Sequence, residues 1–328
     1  MGTRTDDIFR NAGRGEPALP GSYGTAPSEN RLPEATRLGR VRLLVADIVR
    51  SLAFYEGVLG LRTVERDGSR VVLAAHDDDR PLVELRARPG ARPAPHRRRL
   101  GLNHFAILVP DRPSLGRFVR HLGEINARAG AADHLVSEAF YLQDPDNLGI
   151  EVYVDRPRST WRRAGRELMM ATDPVDMAGL LEAAADVPWN GMPAGTVIGH
   201  VHLHVGDIAQ AGAFFSDGLG FDRTVWHYPG ALFLAAGGYH HHLGSNTWAG
   251  ASAVPAGEAD ARLLEWTIEV PDAASVLAVE ASLARAGYLT ERDTGRDTDR
   301  AGGPDLVARD PWGTAVRLHA TARSIESP

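Results

Sequence analysis

Four stretches of the chain share one pattern of apolar and polar positions. In each stretch an alternating apolar run, typical of a half-buried strand, leads into Val-x-Asp, and a segment with helical spacing of apolar residues follows. An aspartate at this point can accept hydrogen bonds from the free N–H groups of a first helical turn. The pattern therefore predicts four strand-to-helix junctions, anchored at Asp47, Asp111, Asp207 and Asp272.

Short β-rich segments follow the predicted helices. They are clearest at 139–154 and 306–319, where an Asp-Pro turn joins two strands. The predicted unit is one strand, one helix and about three further strands, repeated four times. A unit that cannot close its own core has to pack against another unit, so we expect the repeats to pair. The predicted fold class is α+β, built from four βαβββ modules.

The repeats also divide the chain into domains. The N-terminal residues combine glycine, proline and mixed charges without an apolar core segment, which predicts a disordered tail. A helix over 175–186, begun by Asp173 and Pro174, lies in a connector that we expect to pack on the outside. The predicted boundaries are a tail at 1–36, a first domain of modules one and two at 37–157, a linker at 158–195, a second domain of modules three and four at 196–322, and a C-terminal tail at 323–328.

Composition limits the chemistry that this protein can carry out. The chain has 13 histidines and no cysteine, and all 36 basic residues are arginines because the sequence contains no lysine. Disulfides, thiolate nucleophiles, cysteine-held metal clusters and Schiff-base lysines are therefore excluded. Difficult chemistry has to rest on histidines and carboxylates, either as acid–base groups or as ligands of a metal ion.

Charge and hydropathy indicate the partners and the location to expect. The formal net charge of -6 argues against a nucleic-acid partner, because such proteins normally present a basic surface. The longest apolar runs, such as residues 231–236, are far too short to cross a bilayer, so we expect no membrane partner. The cytoplasm is the location predicted by default.

The fourfold repeat with its Val-x-Asp anchors resembles the vicinal oxygen chelate superfamily, which includes glyoxalase I, antibiotic-resistance binding proteins and type I extradiol dioxygenases. The resemblance covers residues 38–320. The stretches GYHHHLGSNTWAG at 238–250 and DHLVSEAFYLQDPDNLGIEVY at 133–153 resemble the catechol 2,3-dioxygenase branch. This resemblance implies that paired modules form two open, cupped β-barrels, with a metal held by the first and last strands of the modules.

The anchors bring the implied ligand positions of the modules into register. Five residues before each anchoring valine, the first-strand position holds Arg40, His104, His200 and Glu265 in chain order. The last-strand position holds Glu84, Glu151, Gly244 and Arg317. Arginine is permanently protonated and cannot ligate a metal, so modules one and four are poor hosts. Their arginines could instead be ion-paired fillers of an empty second cup, with Glu84 and Glu265 as partners.

Modules two and three together hold two imidazoles and one carboxylate, His104, His200 and Glu151. Such a set leaves open positions on a divalent ion and is typical of non-haem Fe(II) oxygenases. We therefore expect Fe(II), with Mn(II) as the alternative, in a barrel built from the central modules. The alternation of His200 with His202 along one strand face leaves His202 open as the ligand. The fallback, if the central modules do not meet, is a damaged site at Glu84, His104 and Glu151.

The resemblance also implies catalytic residues and a reaction. His241 corresponds to the acid–base histidine of the family, Tyr141 to the residue that hydrogen-bonds the substrate oxygen, and His134 to its neighbour. The implied activity is Fe(II)-dependent extradiol cleavage, in which O2 is inserted into a catechol-type aromatic to give a muconic semialdehyde type product. The expected partners are a small aromatic diol, O2 and further copies of the chain in a homo-oligomer.

Two alternatives from other functional classes stay open. A glyoxalase-like isomerase would use a fourth ligand, a second carboxylate, and Gly244 at that position counts against it. A non-catalytic ligand-sequestering protein, as in bleomycin resistance, would need neither the His-His-Glu set nor Tyr141.

Overall fold

The strand-to-helix junctions lie where the Val-x-Asp anchors predict them. The computed structural model describes residues 15–95, 98–293 and 305–321. Within these ranges each of the four anchoring aspartates caps a helix, because its carboxylate accepts hydrogen bonds from N–H groups of the first turn. This part of the prediction is confirmed.

The helices and strands follow one another in a regular order. After β1 (Glu16–Pro17) come β2 (Arg37–Val45), α1 (Ile48–Gly57), β3 (Arg62–Asp67), β4 (Arg70–Ala74) and β5 (Val83–Ala87). Next are β6 (Arg99–Leu108), α2 (Arg112–Glu124), β7 (Gly130–Asp133), β8 (Ser137–Gln143) and β9 (Gly149–Asp155). The connecting segment contains β10 (Arg162–Ala164), β11 (Glu167–Leu168) and α3 (Met177–Ala183).

The second half of the chain repeats this order. It contains β12 (Val197–His204), α4 (Ile208–Ala211), which continues as a π-helix over Gly212–Gly218, then β13 (Asp222–Val225), β14 (Ala231–Ala235) and β15 (Leu243–Asn246). After β16 (Val254–Pro255) follow β17 (Arg262–Val270), α5 (Ala273–Arg285), β18 (Thr290–Asp293), β19 (Asp305–Arg309) and β20 (Ala315–Ala320). The fold is therefore mixed α+β.

Two large sheets each combine strands from both halves of the chain. The first has the order β13-β14-β15-β12-β6-β9-β8-β7, with β16 paired to β6, and the second has the order β18-β19-β20-β17-β2-β5-β4-β3. A smaller sheet has the order β1-β10-β11. The expected domains at 37–157 and 196–322 stay a prediction, but both large sheets pair strands across that division.

Register places corresponding residues of three neighbouring strands in one row. In the first sheet Ala106 of β6 pairs with Glu151 of β9 on one side and with His200 of β12 on the other. In the same register His104 pairs with His202. Side chains two apart on a strand share a face, so all of these side chains lie on one side of the sheet.

The apolar faces of the helices pack on the sheets in one continuous core. Tyr55 of α1, Phe118 of α2 and Leu283 of α5 are buried in this cluster together with inward-facing residues of both large sheets. Burial of apolar area of this kind supplies most of the stability of such a fold. Among the helices that the structure describes, none is long and apolar enough to cross a membrane.

The N-terminal segment is packed against the rest of the molecule from residue 15 onwards, which corrects the predicted tail at 1–36. Leu32 is buried, Arg31 forms a two-bonded ion pair with Asp222, and the Tyr23 hydroxyl donates to the Gly238 carbonyl at 2.6 Å. A polar, proline-containing segment can thus be ordered by side chains from distant parts of the chain. Residues 1–14 and the predicted C-terminal tail at 323–328 lie outside the described residues.

The connecting segment is also more deeply packed than predicted. Its helix covers Met177–Ala183 rather than 175–186 and is capped by Asp176. The residues at 168–171 before it are buried, so the expectation of a connector on the outside is wrong for this stretch. Four consecutive apolar residues, Leu-Met-Met-Ala, are the signal in the sequence for this burial.

Candidate metal centre

Three side chains from the central strands of the first sheet converge on one point. The Nε2 atom of His104 lies 3.0 Å from Oε2 of Glu151, and Nε2 of His200 lies 3.1 Å from the same oxygen. All three residues are buried, and one ligand atom from each lies within 4.8 Å of the other two. The structure thus brings together the three predicted ligands in a geometry that can hold a metal ion.

Ala106 has the smallest side chain in the row of three paired residues. It is fully buried and lies in the row between Glu151 and His200, with His104 two residues before it on the same face. Its methyl group, the smallest side chain of a non-glycine residue, packs with Ala139 and Tyr153. A longer side chain at this position would project between the ligands.

The protonation states of the three residues suit a cation. Burial raises the pKa of Glu151, but the imidazoles of His200 and His104 outweigh this and hold that pKa well below its usual value. Burial lowers the pKa of His200 to about 4, so its imidazole is neutral at neutral pH. Among the described residues Nε2 of His104 has no hydrogen-bond partner, although it lies beside the carboxylate. Neutral nitrogens turned toward an ionised oxygen are a donor set for a divalent metal.

Tyr141 and His134 lie beside this group and are bonded to each other. Tyr141 of β8 pairs in register with Glu151, and its hydroxyl oxygen lies 2.6 Å from Nε2 of His134. The other ring nitrogen of His134 lies 2.6 Å from the carbonyl oxygen of Ala171, which can only accept. His134 therefore donates from Nδ1, and with a single ring proton it accepts a hydrogen bond from the Tyr141 hydroxyl at Nε2. Burial and then the charge of Glu151 raise the pKa of Tyr141 well above its usual value, so it remains a hydroxyl.

His241 lies on the opposite side of the ligands from Tyr141, in the loop between β14 and β15. Its ring centroid is 4.1 Å from that of His200 and 5.0 Å from that of Phe233. Burial first, and then the neighbouring His200 and His240, hold the pKa of His241 well below its usual value. His241 is thus a buried neutral imidazole in contact with a predicted ligand.

The structure separates His200 from His202, which the sequence pattern left open. The rings of His202 and His104 make a T-shaped contact with their centroids 4.9 Å apart. However, Nε2 of His202 accepts a hydrogen bond from the Asn246 amide at 2.9 Å. A Cβ added to Gly244 would lie 2.8 Å from the His202 ring, so the ring fills the space of a fourth ligand. His200, and not His202, belongs to the group of three that the described residues form.

A cavity of about 600 Å³ opens beside the three ligands. Its wall contains the predicted residues His134, Tyr141 and His241. The wall also contains residues that sequence reasoning missed, namely Met170, Ala171 and Thr172 from the connecting segment and Tyr228, Phe233 and Trp248 from the β13–β15 region. They were missed because their position depends on long-range packing and not on the repeat.

The corresponding positions of the second sheet hold ion pairs instead. A guanidinium nitrogen of Arg40 lies 3.3 Å from Glu84, and Nε of Arg317 lies 2.7 Å from Glu265. The expected pairing of these four residues is therefore confirmed. Because Glu84 is paired with arginines in the second sheet, it cannot join His104 and Glu151, and the fallback site is wrong.

Comparison with known proteins agrees with this geometry. The family model of the glyoxalase/bleomycin resistance protein/dioxygenase superfamily matches residues 37–152. Catechol-2,3-dioxygenase of Bacillus subtilis (strain 168) is 45% identical over 262 residues, which cover 79% of this chain and 91% of that relative.

Solved structures show a similar fold. A candidate dioxygenase from Bacillus subtilis subsp. subtilis str. 168 has a TM-score of 0.59 at 13% identity, covering 89% of this chain and 86% of that one. Glyoxalase I from Zea mays has a TM-score of 0.50 at 17% identity, covering 87% and 92%. The identity to the curated relative and the buried His104, Glu151 and His200 group together show that this chain belongs to the catechol-2,3-dioxygenase family of the glyoxalase/bleomycin resistance/dioxygenase superfamily.

Proposed function

We propose that this protein is an extradiol dioxygenase that inserts both atoms of O2 into a catechol-type aromatic and opens the ring beside the diol. The product would be of the muconic semialdehyde type. The observation that carries the proposal is the buried group of His104, Glu151 and His200 beside a cavity of about 600 Å³, in a chain related to a catechol-2,3-dioxygenase.

The ion that we propose for the site is Fe(II), with Mn(II) as the alternative. The donor set of two neutral nitrogens and one carboxylate oxygen is the set that non-haem Fe(II) oxygenases use, and it leaves positions for two further ligands. When bound, Fe(II) would hold the diol and O2 next to each other and allow charge to pass between them. The aromatic wall formed by Tyr228, Phe233 and Trp248 suits a flat ring and keeps water from its faces.

We assign His241, Tyr141 and His134 to proton handling. The hydroxyl of Tyr141 is placed to hydrogen-bond an oxygen of the diol, and His134 can accept the hydroxyl proton through Nε2. His241 lies across the ligands from this pair and offers a neutral imidazole, which can take up a proton and deliver it later. The two sides of the site thus serve different substrate oxygens.

The element order supports the finer description of the fold that the sequence predicts. Between β2 and β20 a strand, a helix and three strands recur, which agrees with four βαβββ modules and two cupped sheets. The homo-oligomer stays a prediction. A glyoxalase-like isomerase is less well supported because the fourth-ligand position, Gly244, lies under the His202 ring.

The experiment is to purify the protein anaerobically with Fe(II), measure bound iron and follow catechol-dependent O2 uptake. We expect Glu151→Ala to lose the iron and all turnover. We expect His241→Ala to keep the iron and lose turnover by roughly 10²–10⁴-fold, which is the usual contribution of an acid–base residue. His227→Gln serves as a control, because 77% of the His227 side chain is exposed. Full activity in both site variants would contradict the proposal, as would iron binding without any O2 uptake in the wild type.

A further inference from the structure

A line of polar side chains leads from His241 through His240 to Asp155. Gly237 and Gly238 both have positive φ, 60° and 61°, and turn the chain sharply after β14. His240 and His241 follow this turn with exposed fractions of 0% and 4%. Buried imidazoles have to find hydrogen-bond partners, and both of these do.

The partners form a chain from Asp155 to His241. Oδ1 of Asp155 lies 2.8 Å from Nε2 of His240, and Nδ1 of His240 lies 2.7 Å from Nδ1 of His241. The side chain of Asp155 is 28% exposed, so the chain begins at the surface.

For a neutral His240, the position of each ring proton follows from these contacts. A carboxylate can only accept, so His240 donates from Nε2 to Asp155. A neutral imidazole carries one ring proton, so Nδ1 of His240 has a lone pair and accepts a hydrogen bond from Nδ1–H of His241. Neutral His241 then has no proton on Nε2.

The rings around this chain hold it in place. The ring of Tyr239 lies 4.0 Å from that of His240, and the ring of Trp161 lies 5.5 Å from it. The Tyr239 hydroxyl donates a second hydrogen bond to Oδ1 of Asp155 at 3.1 Å. The carboxylate therefore has two donors, and only one of them connects to His241.

We propose that Asp155 and His240 are positioning residues that hold His241 in one orientation and one tautomer, with an unprotonated Nε2 on its cavity side. The proposal rests on the proposed function, since it gives His241 its acid–base role. The physical logic is that of any acid–base histidine whose second nitrogen is fixed by a carboxylate, here with one imidazole inserted between them. Partners that orient groups of a metal site in this way usually contribute 10–100-fold to metal affinity or activity.

The tautomer can be measured without any turnover. In protein labelled with nitrogen-15 histidine and loaded with diamagnetic Zn²⁺, we expect Nδ1 of His241 to carry the proton and Nε2 to be free. In Asp155→Ala we expect a mixture of both tautomers at His241. The same single tautomer in both proteins, or a proton on Nε2 of His241 in the wild type, would overturn the proposal.

Kinetics of the iron-loaded enzyme provide the second test. We expect Asp155→Ala to lower kcat by about 10–100-fold with KM and bound iron unchanged. Tyr239→Phe is the matched control: it removes the other donor to Asp155 and leaves the tautomer and kcat as in the wild type. His240→Asn should recover part of the activity lost in His240→Leu, because its amide oxygen can accept from Nδ1–H of His241.

Equal losses in Asp155→Ala and Tyr239→Phe would show a structural role only and contradict the proposal. Absence of turnover in the wild-type enzyme would instead contradict the proposed function. The tautomer measurement would still test the positioning role of Asp155 and His240.

A second inference concerns the charge of the substrate and has a separate basis, the cavity wall. Among the described residues that line the cavity, the one carboxylate is the predicted ligand Glu151 and none is arginine. The chain has no lysine at all. Within this cavity a carboxylate on the substrate ring would therefore lack an arginine or lysine partner, which is unfavourable. An arginine, Arg128, lines a smaller adjoining cavity that shares Asn103, His104 and Tyr141 with this one.

We infer that the substrate is a catechol whose ring substituent is uncharged and apolar. Met170, Tyr228, Phe233 and Trp248 supply apolar wall, and a cavity of about 600 Å³ is of the size that holds ligands larger than one ring. This inference also rests on the proposed function.

The test compares a methyl-substituted catechol with the catechol that carries a carboxylate at the same ring position. We expect kcat/KM to favour the methyl compound by about tenfold or more, the discrimination typical of a pocket that fits one group and not the other. Trp248→Arg introduces a guanidinium at a half-exposed position of the wall. By pairing with the substrate carboxylate it should lower the ratio of kcat/KM for the methyl compound to kcat/KM for the carboxylated compound. Equal or better turnover of the carboxylated compound by the wild type would overturn the inference, whereas turnover of neither compound would contradict the proposed function.

Discussion

Each of the two large sheets contains a row of three paired residues on three neighbouring strands, and the side chains in the two rows differ in charge. In the first sheet the row is Glu151, Ala106 and His200, and in the second sheet the corresponding row is Glu84, Arg42 and Glu265. The first row has a methyl group at its middle position, which packs with Ala139 and Tyr153. The second row has a guanidinium at that position, bonded to Glu84 at 3.2 Å and to Glu265 at 2.9 Å.

In the second sheet the guanidinium of an arginine thus supplies the positive charge that a metal ion would supply in the first sheet. Arg317 adds further bonds to Glu265 at 2.7 Å and to Asp305 at 3.0 Å. Carboxylates on neighbouring strands need positive charge between them when they are buried, and a side chain can provide it as well as an ion can. The difference shows that equivalent rows of the two sheets combine a buried carboxylate with imidazoles in one case and two carboxylates with arginines in the other. We therefore expect the middle residue, together with the ligand positions, to influence whether a metal ion can bind.

The strongest test of this comparison is to move the arginine. Ala106→Arg places a guanidinium between Glu151 and His200, where it can pair with Glu151 as Arg42 pairs with Glu84. We expect complete loss of bound metal and of turnover, because the cation position is filled by the chain itself. Metal analysis and O2 uptake measure the result, and circular dichroism shows whether the fold is kept.

Ala106→Ser is the control, since its small side chain leaves the centre open. A folded Ala106→Arg protein that still binds one equivalent of metal would show that the middle position does not control the site.

Removing the arginine from the second sheet should affect stability and not the metal. Arg42→Ala removes the shared partner of the buried carboxylates of Glu84 and Glu265. Since Arg40 and Arg317 still pair with them, we expect the loss of stability to be at most about 3 kcal/mol, the lower end of the range for breaking a buried ion pair. Urea unfolding of the metal-free protein gives the free energy of unfolding, and the bound metal per chain is measured in parallel.

Arg285→Ala provides the comparison on the surface, because 54% of that side chain and 61% of its partner Glu29 are exposed and such pairs contribute about 0–1 kcal/mol. Equal free energies of unfolding for the two variants, or loss of metal in Arg42→Ala, would contradict the assignment of separate roles to the two rows.

The two sheets should also differ in their response to acid. Burial lowers the pKa of His242, beside the first sheet, to about 3, whereas in the unfolded chain it is near the ordinary value. The unfolded state therefore binds more protons below pH 6.5, and stability falls as the pH decreases from 6.5 toward 3, by at most about 1.4 kcal/mol per pH unit. In the second sheet burial raises the pKa of Asp305, but His319 and Arg317 outweigh it and lower that pKa, so its contribution is lost only below about pH 4.

Unfolding between pH 6.5 and 5 separates the two effects. His242→Asn should lose less stability over this range than the wild type, by about 2 kcal/mol, since an amide does not titrate. Asp305→Asn should keep the slope of the wild type there, even if its stability is lower throughout. If the free energy of unfolding of His242→Asn fell with decreasing pH as steeply as that of the wild type, this assignment to His242 would be contradicted.

The features that recur in every module could be predicted from the sequence. The features that depend on which strands lie side by side could not. The capping aspartates, the three ligands, and the pairing of Arg40 with Glu84 all follow from one register. Ala106 and Arg42 lie two residues beyond the ligand position, and their importance emerges only when the strands on both sides are known.

Features outside the repeat were predicted least well. The burial of residues 168–171 and the packing of 15–36 rest on side chains far away in the chain, such as the bond from Tyr23 to Gly238. A tail and a linker have no periodic pattern, so nothing local indicates which side chains they will meet. The same holds for the chain from Asp155 to His241, whose members come from different strands and loops.

The nested pairing of strands has a consequence for the two halves of the chain. A cut within the connecting segment after α3 would leave His104 and Glu151 on one fragment and His200 on the other, with β2 and β6 exposed as unpaired edges. Neither fragment alone would possess a full set of ligands, but the two fit each other along two antiparallel strand pairs, β6 with β12 and β2 with β17. Binding of a metal ion on mixing would then report that the halves have reassembled, so that this protein could serve as a split reporter of its own association.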